Sequence, residues 1–366
     1  MAKGGYAAMI IILSVVLTLI IILAGVFIAR YYSRFQSIST LKKVSNYADF
    51  NIYKMNIKYN YSIDKIIEKG ITDDQSFVNA IASESLPFLP ININAPKFAC
   101  SAFTMRAKNG NILMGRNYDF KNDSSALLVY CNPKNGYKSV ATAALDNIKA
   151  NVADESIKTK LTCLIAPFVC LDGMNEKGVS IAVLTLDSKP TRQSTGKPAI
   201  GTTLAIRLVL DRAASTQEAV DLLSKYDMFA TSGRDYHFYI TDASGDGRVV
   251  EYDCDNPKRP LIATPIRTIT NFYGMYIDKV LPNQKNGVYG HGKERYDKIE
   301  KVFESESGNY TTESAWNALK SASQLPNPMD ITSNTQWSIV YNDTDLTAKI
   351  VLRRNWKDAY SYSINY

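Results

Sequence analysis

Residues 100–120, CSAFTMRAKNGNILMGRNYDF, can be folded in few ways. Apolar and polar residues alternate from Cys100, the period of a strand with one face turned inward, and Asn109-Gly110 then supplies a dipeptide that strongly favours a tight hairpin turn. A second run, Asn111 to Met114, leads into Gly115-Arg116-Asn117-Tyr118-Asp119. The pattern predicts a β-hairpin in which a cysteine opens one strand while an arginine and an aspartate close the other. Such a layout can bring a nucleophile together with charged groups that activate and hold it.

Other features bound what surrounds this hairpin. The chain has 366 residues, of which 46% are apolar and 21% charged, an ordinary composition for a globular protein with a sizeable core. The net charge of +7 comes from scattered rather than clustered lysines, which speaks against a nucleic-acid partner. Cysteines stand at Cys100, Cys131, Cys163, Cys170 and Cys254 without a CxxC pair, and the only histidines are His237 and His291. These counts call for no metal and no cofactor. An odd number of cysteines fits a working free thiol better than a disulfide framework.

Residues 7–29, AAMIIILSVVLTLIIILAGVFIA, carry no charge and are long enough to cross a bilayer. No clear cleavage site follows, so the run is read as an uncleaved single-pass anchor rather than a secretory signal. The expected anchor spans residues 1–30. Lys3 precedes the span, whereas Arg30, Arg34, Lys42 and Lys43 follow it. The charge bias would hold the C-terminal side in the cytoplasm, yet a large domain translocates regardless, and an extracytoplasmic domain is the reading taken here.

Within 30–99, Thr72-Asp73-Asp74-Gln75 predicts a capped helix running to about Ser85. The proline-rich stretch from Leu86 to Ala99 is expected to be extended, delivering the chain to Cys100. Beyond the hairpin, strands are expected at Leu127–Cys131, Val140–Ala144, Val179–Leu186, His237–Thr241 and Val249–Tyr252. Helices are expected at Thr203–Ala214, Thr216–Tyr226, Lys293–Glu304 and Thr312–Ala322, with Ser215 and Glu218 capping the second. A final hairpin turns at Asn342-Asp343. Runs of strands with paired helices imply an α+β fold of stacked antiparallel sheets with helices outside.

A thiol nucleophile needs a base. A histidine could serve, but His237 lies in an alternating strand and His291 in the loop Tyr289-Gly-His-Gly292, with no local signature at either. The other solution is a chain-terminal cysteine whose own α-amino group, with a pKa of roughly 7.7–8.0, accepts the proton. This requires the Ala99–Cys100 bond to be cut.

The stretch closely resembles the N-terminal-nucleophile cysteine hydrolases of the choloylglycine hydrolase and penicillin V acylase family, which includes acid ceramidase-like amidases. Cys100, Arg116 within Gly-Arg-Asn, and Asp119 match the family pattern in identity and spacing. Asp172-Gly-Met-Asn-Glu-Lys-Gly178 resembles its Asn-Glu-x-Gly turn, Tyr236–Gly245 with Val249–Tyr252 its next hairpin, and Thr268-Ile-Thr-Asn-Phe272 its Thr-Asn segment. Glu294-Arg295-Tyr296 resembles the family's arginine at a helix start. The likeness covers Cys100 to Tyr366, which implies an N-terminal-nucleophile hydrolase domain over 100–366 preceded by a linker or pro-segment over 31–99.

This resemblance implies a four-layer αββα N-terminal-nucleophile hydrolase sandwich and hydrolysis of a linear, non-peptide amide C–N bond. The substrate would be a small N-acyl compound of bile-salt, penicillin V or N-acyl amine type, with no cofactor. Cys100, Arg116, Asp119, Asn271 and Arg295 would be catalytic, and Asn175, Thr185 and Tyr118 would meet the substrate. Thr185 stands where family members carry Asn or Tyr, a shorter reach for an oxyanion donor. The alternative reading is a non-catalytic membrane-anchored binding protein that keeps the fold. Self-association into a homo-oligomer is compatible with either.

Overall fold

The computed structural model describes residues 2–87, 98–282, 289–329 and 333–365. The N-terminal apolar run lies inside one helix, α1 (Ala2–Ser39). By length and composition its Met9–Ser39 stretch can cross a membrane, and its large side chains from Met9 to Ile28 are exposed. The same helix then enters the body of the protein. Tyr31, Arg34 and Ile38 are buried, Arg34 Nε donates to Ser85 O at 2.7 Å, and the Tyr31 hydroxyl donates to Pro87 O.

After α1 come β1 (Lys42–Lys43), β2 (Ile52–Asn56), α2 (Ile63–Glu68) and α3 (Asp74–Ser85). The helix expected to end near Ser85 does so. Its capping box is closed by Asp73 and Ser76 rather than by Thr72 and Gln75. The proline-rich approach to Cys100 falls mostly outside the described residues. The hairpin strands are β3 (Phe98–Arg106) and β4 (Ile112–Phe120), and Gly110 turns between them at φ +89°. The chain continues through β5 (Ala126–Cys131), β6 (Ser139–Ala144), α4 (Ile157–Thr162), β7 (Asp172–Asn175), β8 (Ser180–Leu186) and β9 (Ala199–Gly201). Next are α5 (Thr202–Arg212), α6 (Thr216–Leu223), β10 (Asp227–Phe229), β11 (Asp235–Thr241), β12 (Arg248–Tyr252) and β13 (Leu261–Pro265). The last third comprises β14 (Thr268–Ile269), β15 (Asn271–Phe272), α7 (Ile277–Val280), β16 (Gly290–His291), α8 (Lys293–Glu306) and α9 (Thr312–Ala322). It closes with β17 (Thr335–Asn342), β18 (Thr347–Leu352) and β19 (Tyr360–Ser363).

Two sheets dominate. The larger runs β1-β2-β5-β6-β7-β8-β11-β12-β13 and the smaller β14-β3-β4-β17-β18-β19. Pairing in both is antiparallel, as expected, except that β2 lies parallel to β5. Alternation along β3 and β4 separates two cores. Cys100, Ala102, Met114 and Tyr118 face the larger sheet, while Phe103, Met105 and Leu113 face Ile299, Phe303 and Leu319 of α8 and α9. On the far side of the larger sheet, α5 packs so closely that a Cβ on Gly173 would lie 2.8 Å from Leu210 Cδ1. The order is therefore helix, sheet, sheet, helix, the αββα sandwich that the sequence led us to expect.

Residues 31–87 are folded into this body. β2 forms five register pairs with β5, Ile52, Met55, Ile66 and Ile81 are fully buried, and the Tyr59 hydroxyl donates to Leu164 O at 2.6 Å. Polar and aromatic side chains here mark an inner strand and its supports.

Candidate active site

Register decides which side chains of the hairpin can meet. Cys100 is opposite Tyr118, Ala102 opposite Arg116, and Ala99 opposite Asp119. Directly opposed residues share a face and neighbours in sequence do not. Cys100, Arg116 and Tyr118 therefore point between the sheets, whereas Asp119 points toward the helices. The three charged and nucleophilic residues do not meet at one point. They hold the start of β3 from two sides.

On the inter-sheet side, Arg116 is fixed by Asp172, with Nε to Oδ2 at 3.0 Å, and its Nη1 donates to Asn117 O at 3.0 Å. The guanidinium acts on the Cys100 thiol. Burial is the largest influence on that thiol and pushes its pKa up to about 11, Asp119 adds to the rise, and Arg116 and Arg295 pull against it. The Tyr118 ring stacks on Trp337 with centroids 4.2 Å apart and forms the wall beside the sulfur. Gly115 is required beneath this strand, because a Cβ there would lie 2.1 Å from the Phe103 ring.

On the opposite side, Asp119 accepts hydrogen bonds from Gln324 Nε2 at 2.9 Å and Thr335 Oγ1 at 2.5 Å. Arg295 Nη1 stands 3.6 Å away. Burial raises the Asp119 pKa, opposed chiefly by Arg295. Arg295 Nη1 donates to Cys100 O at 2.5 Å, and Nη2 donates to Asn271 Oδ1 at 2.9 Å. Asp119 thus acts on Cys100 through Arg295.

The third contact defines the site. The Cys100 backbone N–H donates to Asn271 Oδ1 at 2.8 Å. Both groups on that oxygen are pure donors, so the amide orientation of Asn271 is fixed. Its Nδ2 donates to Thr185 O at 2.8 Å. Asn271 lies on the two-residue strand β15 paired with β16, where Gly290 at φ +115° leaves no room for a Cβ, which would sit 2.1 Å from Asn271 O. Cys100, Arg116, Asp119 and Asn271 have no exposed surface, and Arg295 is 2% exposed.

Of the residues expected to meet a substrate, Thr185 joins this cluster through Asn271 and Tyr118 lines it. Asn175 does not. Its Nδ2 donates to Leu210 O and Ala213 O, and its Oδ1 accepts from Lys177 N and Val179 N. All four positions lock the turn after β7 onto the end of α5, so a turn asparagine is what the Asn-Glu-x-Gly motif provides here. His237 is also structural, donating from Nε2 to Thr270 O at 3.0 Å with Nδ1 3.3 Å from Glu251. Asp172, Gln324 and Thr335 were not singled out from sequence. The alternation of β7 would have placed Asp172 inward, but the other two serve a pairing that only the fold creates.

Among the described residues no cluster of histidine, cysteine and carboxylate side chains is arranged to hold a metal.

Residues 100–259 match the family model of the linear amide C–N hydrolases, choloylglycine hydrolase family. The fold is similar to that of a mutant conjugated bile acid hydrolase from Clostridium perfringens, with TM-score 0.54 and 15% identity over 73% of this chain and 92% of that one. It is also similar to the penicillin V acylase from Agrobacterium tumefaciens, with TM-score 0.52 and 17% identity over 72% of this chain and 86% of that one. No curated protein matches the chain.

Proposed function

We propose that this chain, a relative of the choloylglycine hydrolase family of linear amide C–N hydrolases through residues 100–259, is made as an inactive precursor and becomes an N-acyl amide hydrolase when the Ala99–Cys100 bond is cut. The observation that carries this reading is the hydrogen bond from Cys100 N to Asn271 Oδ1. That nitrogen is an amide in the intact chain and becomes the α-amino base after the cut. It already sits in a polar socket built by Asn271 and Arg295.

In the first cut, Cys100 Sγ attacks the Ala99 carbonyl carbon, the Ala99–Cys100 C–N bond breaks, and water hydrolyses the resulting thioester. In the mature enzyme the thiol proton passes to the α-amine as Sγ attacks the substrate carbonyl. The α-amine then delivers the proton to the leaving nitrogen as that C–N bond breaks. Arg116 and Arg295 stabilise the sulfur anion, and Asp119 keeps Arg295 in place. In the uncut chain burial pushes the Cys100 thiol up to about 11, so its proton must leave as Sγ attacks the Ala99 carbonyl rather than beforehand.

The apolar part of α1 would anchor the protein in a membrane, and residues 31–87, packed into the larger sheet, would keep the cut catalytic part attached to it. The substrate is an N-acyl compound of bile-salt, penicillin V or N-acyl amine type. Intact-mass analysis alongside a panel of such amides tests the reading. It expects a fragment beginning at Cys100 and turnover that Cys100→Ala abolishes. An uncut protein, or hydrolysis untouched by Cys100→Ala, overturns it.

A further inference from the structure

β17 carries one residue too many for its partner β4. Thr335 stands opposite Asp119 and Trp337 opposite Tyr118, with Gln336 left over between them. Residues two apart on a regular strand share a face, while Asp119 and Tyr118, as neighbours, do not. The extra residue resolves this conflict as a β-bulge, which re-aims the side chains on either side of it. Thr335 follows Asp119 to the helix side, where its Oγ1 donates to the carboxylate. Trp337 follows Tyr118 between the sheets, where its Nε1 donates to Asp172 at 3.1 Å. A strand without the bulge could serve one of these partners and not both.

The bulge is gripped from the end of β18. That strand stops at Leu352, and the two residues after it, Arg353 and Arg354, are both left-handed, at φ +47° and +62°. Consecutive non-glycine residues in this region are strained backbone, which persists only where surrounding contacts hold it. Here the Arg353 N–H donates to Gln336 O at 2.7 Å. Arg354 Nη1 donates to Thr335 O at 2.9 Å, to Gln324 O at 3.0 Å and to Asn334 Oδ1 at 2.8 Å. Gln324 and Thr335 are the two residues whose side chains donate to Asp119. They are also tied to each other, Thr335 N to Gln324 O at 2.9 Å and Gln324 N to Thr335 Oγ1 at 2.7 Å. One guanidinium thus spans the carbonyls of both donors. Its charge faces the same carboxylate: burial and Arg353 lower the Arg354 pKa, while Asp119 and Asp123 oppose the fall.

We propose that Arg354 is a positioning residue of the amidase site, holding Thr335 and Gln324 so that their side chains keep Asp119 ionised and turned to Arg295. This rests on the amidase reading and extends it to the far end of the chain. Asp119 acts on Cys100 through Arg295, whose Nη1 donates to Cys100 O and whose Nη2 donates to Asn271 Oδ1. Release of the bulge would free Thr335 Oγ1 and Gln324 Nε2 from the carboxylate. Asp119 would be left with Arg295, 3.6 Å away, and with the charges of Arg116 and Arg354. A buried carboxylate with fewer donors takes up its proton more readily. Once neutral, Asp119 loses its hold on Arg295, and the socket of the Cys100 nitrogen loosens with it. The effect of Arg354 is exerted wholly through these neighbours.

Steady-state turnover of an N-acyl amide by the processed enzyme, measured against pH, tests this with Arg354→Gln and Thr335→Val made singly and together. Each single variant is expected to lower kcat by about 10–10²-fold with KM little changed, the equivalent of one hydrogen bond to a charged group. The acid limb of the profile should move to higher pH in both, because Asp119 protonates sooner. Since both act through the same carboxylate, the double variant should be little worse than the poorer single one. Arg354→Lys keeps a cationic donor and should recover part of the loss. Thermal unfolding reports the fold of each variant, and Arg354→Lys carries the same comparison if Arg354→Gln does not fold. An acid limb that stays in place, or losses that multiply in the double variant, overturns the proposal alone. A native protein that is never cut before Cys100, or that hydrolyses no amide, overturns the amidase reading and this assignment with it.

Discussion

Arg116 Nε meets Asp172 Oδ2 at 3.0 Å, joining the smaller sheet to the larger with no solvent exposure on either side chain. The same carboxylate accepts from Trp337 Nε1 at 3.1 Å and from the Tyr341 hydroxyl at 2.7 Å. Three donors from the smaller sheet converge on one acceptor from the other. Asp172→Ala would strand a buried cation, a defect that typically costs about 3–5 kcal/mol. Denaturant titration should show that loss. A drop of about 1 kcal/mol or less, typical of an exposed ion pair, would contradict the role given to Asp172.

Cutting before Cys100 should depend on Asn271 and Arg295, which hold its nitrogen and carbonyl. Asn271→Ala and Arg295→Ala are expected to slow the appearance of the Cys100-terminal fragment by about 10²–10³-fold, the usual cost of losing one preorganised polar contact to a reacting amide. Time-resolved intact mass measures this. Processing at the native rate in both variants would remove these residues from the cut.

Residues 31–87 should remain with the catalytic part after the cut. β2 lies inside the larger sheet between β1 and β5, and Tyr61, Asp64 and Asp74 bond to Asp211, Arg212 and Ser232 respectively. Two fragments are expected on a denaturing gel and one species in detergent by gel filtration. Met55→Asp, which places a charge at a fully buried position, should separate them or block folding. Spontaneous separation of the native fragments would refute the expectation.

Asp343 offers a pH prediction. Burial raises its pKa well above the usual carboxyl value, with a hydrogen bond from Ser180 opposing the rise, and its Oδ2 has no partner among the described residues. The folded state therefore binds this proton more tightly than the unfolded state does. The contribution to stability is full below the unfolded pKa of about 3.9 and is lost as pH rises toward the folded pKa. Asp343→Asn mimics the protonated form, so its stability should fall less than the native protein's between acidic and mildly alkaline pH. Parallel unfolding curves at both ends of that range decide it, and an equal fall in the two proteins speaks against the prediction.

Local patterns are readable from the sequence to within three residues at each end. α9 begins and ends where periodicity predicts, and the Cys100–Phe120 alternation forms the hairpin it promises. What escaped was non-local. β2 pairs parallel to a strand some seventy positions on, and the sequence IYKMN carries no sign of that partner. Of the candidate residues, Cys100 and Arg116 match the family pattern by spacing, while Asn271 and Arg295 are suggested only by segments that resemble the family's. The opposite facing of Asp119 follows from the register alone, while its partners Gln324 and Thr335 come from the far end of the chain.

The continuity of α1 has a mechanical consequence. A helix that runs from Ala2 to Ser39 and grips Ser85 and Pro87 through Arg34 and Tyr31 contains no joint. The face that carries the candidate site does not swing on a tether. Its height and bearing relative to the apolar run are set by helix geometry, about 1.5 Å for each residue. Turning that helix by one residue would redirect the whole body by about 100°, so length changes near residue 30 should alter which substrates can reach the site without touching any residue in it.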